Sequence, residues 1–159
     1  MQELTHYIDG AQVKGGSGRF ADVMNPATGE VFWRHPMAPS RMPIGIATPV
    51  VSGDRLFVTS FYDGSLMLRL DQKKLAAEKV WRISGRDERN TKALHSIIST
   101  PIWIGDHIYG VDSYGELRGL DAKTGERLWM SPDMTAQVRW STAFMVRHED
   151  RYFVNNDDG

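Results

Sequence analysis

The chain has 159 residues, 41% hydrophobic and 25% charged, with a net charge of −1, five histidines and no cysteine. That is the composition of a globular chain able to build a real core. It offers no basic face for nucleic acid or an anionic membrane, and no apolar run approaches the roughly 20 residues that cross a bilayer. Without cysteine there are no disulfides, thiolate nucleophiles or cysteine-ligated metals.

In chain order, MQELTHYIDG lacks the basic and apolar regions of a secretory signal. HYIDG and AQVKG read as an N-terminal hairpin turning at Asp9-Gly10. GGSG (15 to 18) is a flexible loop, since no strand leads into a GxGxxG. Asn25 to Trp33 reads NPATGEVFW, and Asp121 to Trp129 reads DAKTGERLW at a constant offset of 96. HPMAPSRMP (35 to 43), with Met37 and Met42, is a packed irregular connection.

A longer repeat contains that pattern. Thr48-Pro49-Val50-Val51 lies over Thr100-Pro101-Ile102-Trp103 at an offset of 52, and Gly53-Asp54-Arg55-Leu56-Phe57 answers Gly105-Asp106-His107-Ile108-Tyr109. Leu70-Asp71 answers Leu120-Asp121 at 50, and Val80-Trp81 answers Leu128-Trp129 at 48. A partial third copy begins at Ser141-Thr142, 42 residues after Thr100. Periods of about 40 to 50 residues are those of propeller blades. The β-branched and aromatic composition predicts strands over 46–52, 55–62, 65–70 and 79–83, then 97–104, 107–113, 116–120 and 126–130, then 140–147 and 151–155. Asp63-Gly64, Tyr114-Gly115 and Asp158-Gly159 mark hairpin reversals. QKKLAAEK (72 to 79) reads as a helical turn inserted before the fourth strand, which would account for the drifting offset. In DAKTGERLW, Asp121 accepts the turn's N–H groups with Thr124 beside it, Gly125 takes the left-handed conformation, and Trp129 wedges against the next sheet. Thr28, Gly29 and Trp33 have the same parts in the first copy, and Trp81 is the wedge of the intervening unit.

These units resemble the tryptophan-docking repeat of quinoprotein-type propellers. GLDAKTGERLW fits its AxDxxTGxxxW pattern apart from Gly119 at the alanine position. RMPIGIATPVVSGDRLFVTSFYDGSLMLRLD and LHSIISTPIWIGDHIYGVDSYGELRGLDAKTGERLW are similar to PQQ-binding-like β-propeller repeat proteins, a resemblance covering about 28–159. It implies an all-β, partial propeller of four-stranded antiparallel blades, two whole and one partial. It also implies a periplasmic or secreted parent and, in many members, a non-catalytic scaffold similar in architecture to outer-membrane assembly factors. LTHYIDGAQVKGGSGRFADVMNPATGEV instead resembles the N-terminus of aldehyde dehydrogenases, especially methylmalonate-semialdehyde dehydrogenase. The two resemblances overlap at ATGEV, which suits a junction between coding segments, whether natural fusion, engineered chimera or assembly artefact. The expected division is a hairpin segment over 1–31 and a repeat region over 32–159.

The expected function is a non-catalytic repeat scaffold or protein-binding fragment without cofactor. One alternative is a piece of a quinoprotein oxidoreductase, which would need pyrroloquinoline quinone with calcium. The other is an aldehyde dehydrogenase N-terminal piece without its catalytic region; NAD-dependent aldehyde oxidation needs a cysteine, and none is present. Asn155-Asn156-Asp157-Asp158 does not match a calcium-loop spacing and reads as a solvated turn. His6, His35, His95, His107 and His148 show no metal-ligand spacing, and His95 reads as structural before ligand-facing. In a propeller, blade-to-blade connections and the turns between second and third strands share one face. That places Arg41, Arg86, Arg89, His95 and Arg139 with Tyr62, Asp63, Asp112 and Tyr114 on the expected ligand-facing surface, unless GRDERNTK (85 to 92) is only a solvated loop. The partner is an unknown protein, or a second chain joined through the open edge RYFVNN.

Overall fold

The structure, a computed structural model, describes residues 5–8, 11–14, 20–25, 27–37, 42 and 44–159. Every regular element among them is a strand. The chain divides into two compact units, Met1–Ala38 with Leu70–Ala77, and Pro39–Arg69 with Glu78–Gly159.

In the first unit β1 (Thr5–Ile8) pairs antiparallel with β2 (Ala11–Lys14), and β3 (Phe20–Met24) with β4 (Val31–Pro36). Asp9-Gly10 and the GGSG loop lie outside the described residues. Two four-stranded antiparallel sheets follow. One has the order β5 (Val50–Ser52), β6 (Arg55–Ser60), β7 (Gly64–Asp71), β8 (Ala76–Ile83). The other is β9 (Ile102–Ile104), β10 (His107–Val111), β11 (Leu117–Asp121), β12 (Arg127–Ser131). A hairpin of β13 (Ala143–His148) and β14 (Arg151–Asn156) completes the second unit. The hairpin glycines Gly64 and Gly115 hold positive φ, 74° and 91°.

Two expectations are corrected. QKKLAAEK contains no helical turn. The Asp71 carboxylate accepts the N–H groups of Lys73 and Lys74 at 3.0 and 3.1 Å, Leu75 adopts φ 50°, and Ala76 already begins β8. A left-handed residue there cannot propagate a right-handed helix. The last step of the drift, from 50 to 48, arises because β8 carries two more residues between turn and tryptophan than β12 does. The first strand of each blade is also shorter than expected, beginning at Val50, Ile102 and Ala143. Pro49 and Pro101 bring no N–H to a ladder. Ahead of Pro101, backbone groups are bonded to side chains instead: Leu94 N–H to Ser65 Oγ at 3.3 Å and Ser96 N–H to Thr59 Oγ1 at 3.1 Å.

The core of the second unit lies where the two four-stranded sheets pack. Phe57 and Met67 of one meet Ile108 and Leu120 of the other, with Ala93 and Leu94 of the connecting segment between them. Trp81 closes its margin. Its indole Nε1 donates to Ala122 O at 3.1 Å, and a Cβ on Gly125 would lie 2.8 Å from its ring. Asp121 shapes that turn by accepting Lys123 and Thr124 N–H at 2.7 and 2.8 Å. These N–H donors, Thr124's first, hold the Asp121 carboxyl below its ordinary range. Gly125 at φ 75° leaves the space that the indole fills. Trp129 has the equivalent place on β12, against Gly119 of its own sheet, but is 43% exposed.

Replacing Trp81 by alanine is expected to cost about 3 kcal/mol, read by urea denaturation. Lys123→Ala, an exposed change in the same turn, should cost under about 0.5 kcal/mol. A Trp81→Ala loss as small as the lysine control's would mean the indole is not a wedge.

Candidate functional site

The segment 84–101, the β10–β11 turn, the β6–β7 turn and residues 139–140 converge on one surface of the second unit. GRDERNTK is built rather than loose. The Asp87 carboxylate accepts the N–H groups of Arg89 and Asn90 at 2.9 and 2.8 Å and both contacts of the Asn90 amide. These bonds, the Asn90 side chain's foremost, depress its pKa. The turn thereby presents Glu88. Its carboxylate accepts the Tyr114 hydroxyl at 2.8 Å and Arg139 Nη2 at 3.0 Å, while Arg139 also donates to Tyr62 Oη at 2.8 Å. Partial burial, then the Glu88 bond, pushes the Tyr114 phenol above its ordinary value. The Arg89 guanidinium lies 4.9 Å from the Tyr114 ring centroid and that of Arg139 4.5 Å from the Trp140 ring. Trp140 stacks on Phe61 at 4.8 Å, 42% exposed and at φ 80°. Beside this cluster a cleft of about 350 Å³ runs between Tyr62, Arg82, Arg86 and Glu88.

Beneath the surface lies a closed polar network. Arg118 reaches Asp112 at 3.0 Å, Thr91 Oγ1 at 2.7 Å and Ala93 O at 2.8 Å, and also grips Glu116. Asp112 in turn accepts His95 N–H at 2.6 Å, Thr91 Oγ1 at 2.9 Å and Ser113 Oγ at 3.1 Å. Gly85 N–H donates to His95 Nε2 at 3.1 Å, so the ring proton sits on Nδ1 and points to Phe61 O at 2.9 Å. Burial lowers the His95 pKa, against the smaller opposing effects of the Phe61 bond and Asp112.

Of the residues expected to face a ligand, Tyr62, Arg89, Tyr114 and Arg139 come together, and Arg86 lines the cleft. Asp63, His95 and Asp112 do not face solvent. Each is buried: the polar groups of His95 and Asp112 tie the connecting segment to the strands, and Asp63 borders the cleft from beneath. Arg41 lies outside the described residues. The residues that sequence reasoning missed are Glu88, Trp140 and Arg118. For Arg118 the signal was a charge in the middle of a short apolar strand, LRGLD. The Asn155–Asp158 stretch is tied to earlier segments: Asp157 accepts Thr142 N–H at 2.7 Å and the Asn156 amide donates to Met134 O at 2.9 Å. Among the described residues no three His, Asp or Glu gather as a metal site, and Arg118 pairs with the buried Asp112 and the half-buried Glu116.

Residues 11–158 match the family described as outer membrane protein assembly factor BamB. Among solved structures, the crystal structure of BamB from Moraxella catarrhalis is similar, with a TM-score of 0.54 at 16% identity. The match covers 92% of this chain and 42% of that one, so this chain spans less than half of that protein's length. No curated protein matches the chain.

The neutral His95 has a pH consequence. Its folded pKa lies below the ordinary value near 6.5, so the unfolded chain binds the extra proton first as pH falls. Its contribution is present above about pH 6.5 and is lost on acidification below it. The melting temperature is expected to drop between about pH 7.5 and 5.5, and His95→Gln should flatten that slope. An unchanged slope in the variant would assign the effect elsewhere.

Proposed function

The chain belongs to the family of outer membrane protein assembly factor BamB, and from that premise we propose that it is a non-catalytic propeller scaffold whose Arg139–Tyr62–Glu88 face holds another protein. The observation that carries this reading is the pre-arranged arginine and aromatic cluster. Arginine, tyrosine and tryptophan supply a disproportionate share of binding energy in protein interfaces. Here Arg139 is held in place by two bonds and stacked over Trp140 while its side chain stays 40% exposed. A partner meeting such a residue has less side-chain entropy to remove. The family's name points to a partner in outer-membrane assembly, and hence to work in the cell envelope.

The same reading assigns no cofactor. Calcium beside a quinone would require several oxygen ligands, and the buried Asp112 carboxylate is already engaged by Arg118, Thr91, His95 and Ser113.

A photo-crosslinker placed at Tyr62 should capture a protein from envelope extracts of the native host, whereas one at Lys123 should not. Arg139→Ala should reduce capture at least about tenfold in a chain that far-UV circular dichroism shows still folded; undiminished capture would remove the face from the proposal. Titrating the chain with pyrroloquinoline quinone and calcium should give no saturable absorbance change. Saturation at micromolar quinone would favour the oxidoreductase alternative.

A further inference from the structure

The His95 ring joins two parts of the candidate surface from beneath. It is fully buried and held at both nitrogens: Nδ1 donates to Phe61 O at 2.9 Å, and Nε2 accepts the Gly85 N–H at 3.1 Å. Phe61 belongs to the β6–β7 turn, whereas Gly85 opens the 85–90 turn that carries Glu88. Packing around Nε2 is close. A Cβ on Gly64 would lie 3.0 Å from Nε2, 2.8 Å from Ser84 Cα and 2.2 Å from Ile83 O, so the ring and the chain entering the turn fill one gap. Behind Gly85 the turn closes on itself, with Arg86 N–H donating to Asn90 O at 2.9 Å.

The two ring bonds respond oppositely to acid. Nδ1 already holds a proton, so a second one must go to Nε2. The Phe61 bond then gains charge assistance. Nε2–H, by contrast, meets Gly85 N–H as donor against donor, and the buried ring gives it no path to water while the turn stays in place. We propose that His95 is an acid-operated latch, whose protonation expels Gly85, frees the 85–90 turn and dismantles the Arg139–Glu88–Tyr114 cluster. Glu88 leaves with the turn. Arg139 then loses its carboxylate partner at 3.0 Å and keeps Tyr62, and the Tyr114 hydroxyl loses its acceptor at 2.8 Å. Ser113 Oγ also ties the turn, donating to Glu88 O at 3.1 Å. That is one neutral bond set against a buried charged donor without a partner, and the buried charge prevails.

Charged groups face the ring from three elements. Asp112 of the β10–β11 turn and Asp63 of the β6–β7 turn favour the imidazolium, and Arg118 of β11 opposes it. Asp112 and Arg118 are 3.0 Å apart, so their effects at the ring largely offset. Burial outweighs these groups and holds the closed form's pKa below the ordinary value near 6.5. Release of the turn lets water reach the ring and restores the ordinary value. The released form therefore takes up the proton more readily. Each pH unit between the two values raises the released-to-closed ratio about tenfold. The latch is shut above about pH 6.5 and opens progressively below it. Its use rests on the protein-binding reading of this face: a partner held by the arginine–aromatic cluster is let go in acid.

Amide hydrogen exchange of the whole chain reads the latch without any partner, so it succeeds or fails apart from the binding reading. Corrected for intrinsic rate, protection at Gly85 should be flat above about pH 6.5 and fall below it. It should also stay lower than that of the β10 amides, as local release requires. The ring's own titration, followed through its carbon-bound protons, gives the closed form's pKa. Each unit by which that value lies below 6.5 should appear as about one decade of protection lost at Gly85. His95→Gln cannot take the proton and should abolish the step. Should that variant fail to fold, the match between ring titration and lost protection in the wild-type chain decides. Gly85 protection that ignores pH, that only tracks the β10 amides, or that keeps its step in folded His95→Gln would each overturn the proposal.

Discussion

Arg118 and Asp112, each about 3% exposed, face one another at 3.0 Å in the interior of the second unit. Charges taken so far from water persist only when their remaining hydrogen-bonding capacity is filled, and removing one partner of such a pair costs about 3–5 kcal/mol. Here the filling is done by the segment between the two whole sheets: Thr91, Ala93 and His95 all bond to this pair. A connection that would otherwise wander is thus fixed along its length. Leu94 is driven into the core, His95 is fixed with its ring between Gly85 and Phe61, and Glu88 is set at the surface opposite Arg139. The surface cluster inherits its geometry from the buried pair, so the interior polar residues and the exposed arginine–aromatic cluster belong to one structure rather than two.

A second constraint acts between strands. Asn25, Asp71 and Asp121 each open the same side-chain-capped turn, and each is followed four residues later by a positive φ, at Gly29, Leu75 and Gly125. The turn sets where the outer strand leaves, and so where its tryptophan lands. Because docking requires bare backbone under the ring, glycine at 125 serves both the turn and the neighbour's indole. Leu75 shows that the conformation itself tolerates a side chain; the packing is the stricter demand.

What was legible in the sequence follows from which signals are local. Turn residues act through bonds to neighbours two to five positions away, so NPATG, DAKTG and the glycines of the Asp63-Gly64 and Tyr114-Gly115 reversals announced themselves, and with them the order of strands in the two whole sheets, though not β3 and β4. The segment QKKLAAEK misled because its composition favours helix, while the Asp71 side chain and the strand it feeds decide otherwise. The candidate face was half legible. Arg139 and Tyr62 are 77 positions apart, yet blade geometry alone placed both on one side. Whether a residue on that side reaches solvent was not legible. Asp63, His95 and Asp112 are as polar in sequence as Tyr62 or Arg89, and only the pairing with Arg118 and the connecting segment draws the last two of them inward.

Strain separates the repeat from its use. Among the described residues three non-glycine residues hold positive φ: Leu75, Trp140 and Glu149. Leu75 stands where the repeat places Gly29 and Gly125, and Glu149 where it places Gly53 and Gly105, so their strain is imposed by the architecture. Trp140 has no such counterpart. Aligning Thr142 with Thr100 and Thr48 sets it over Ile98 and Ile46, neither of which has positive φ. An unfavourable conformation of this kind costs on the order of 1–3 kcal/mol and persists where surrounding contacts over-determine it. For Trp140 those contacts are the stack on Phe61 and the Arg139 guanidinium above its ring. Strain that the repeat does not demand, stored in a half-exposed indole beside a clamped arginine, distinguishes this patch from the other exposed aromatics among the described residues.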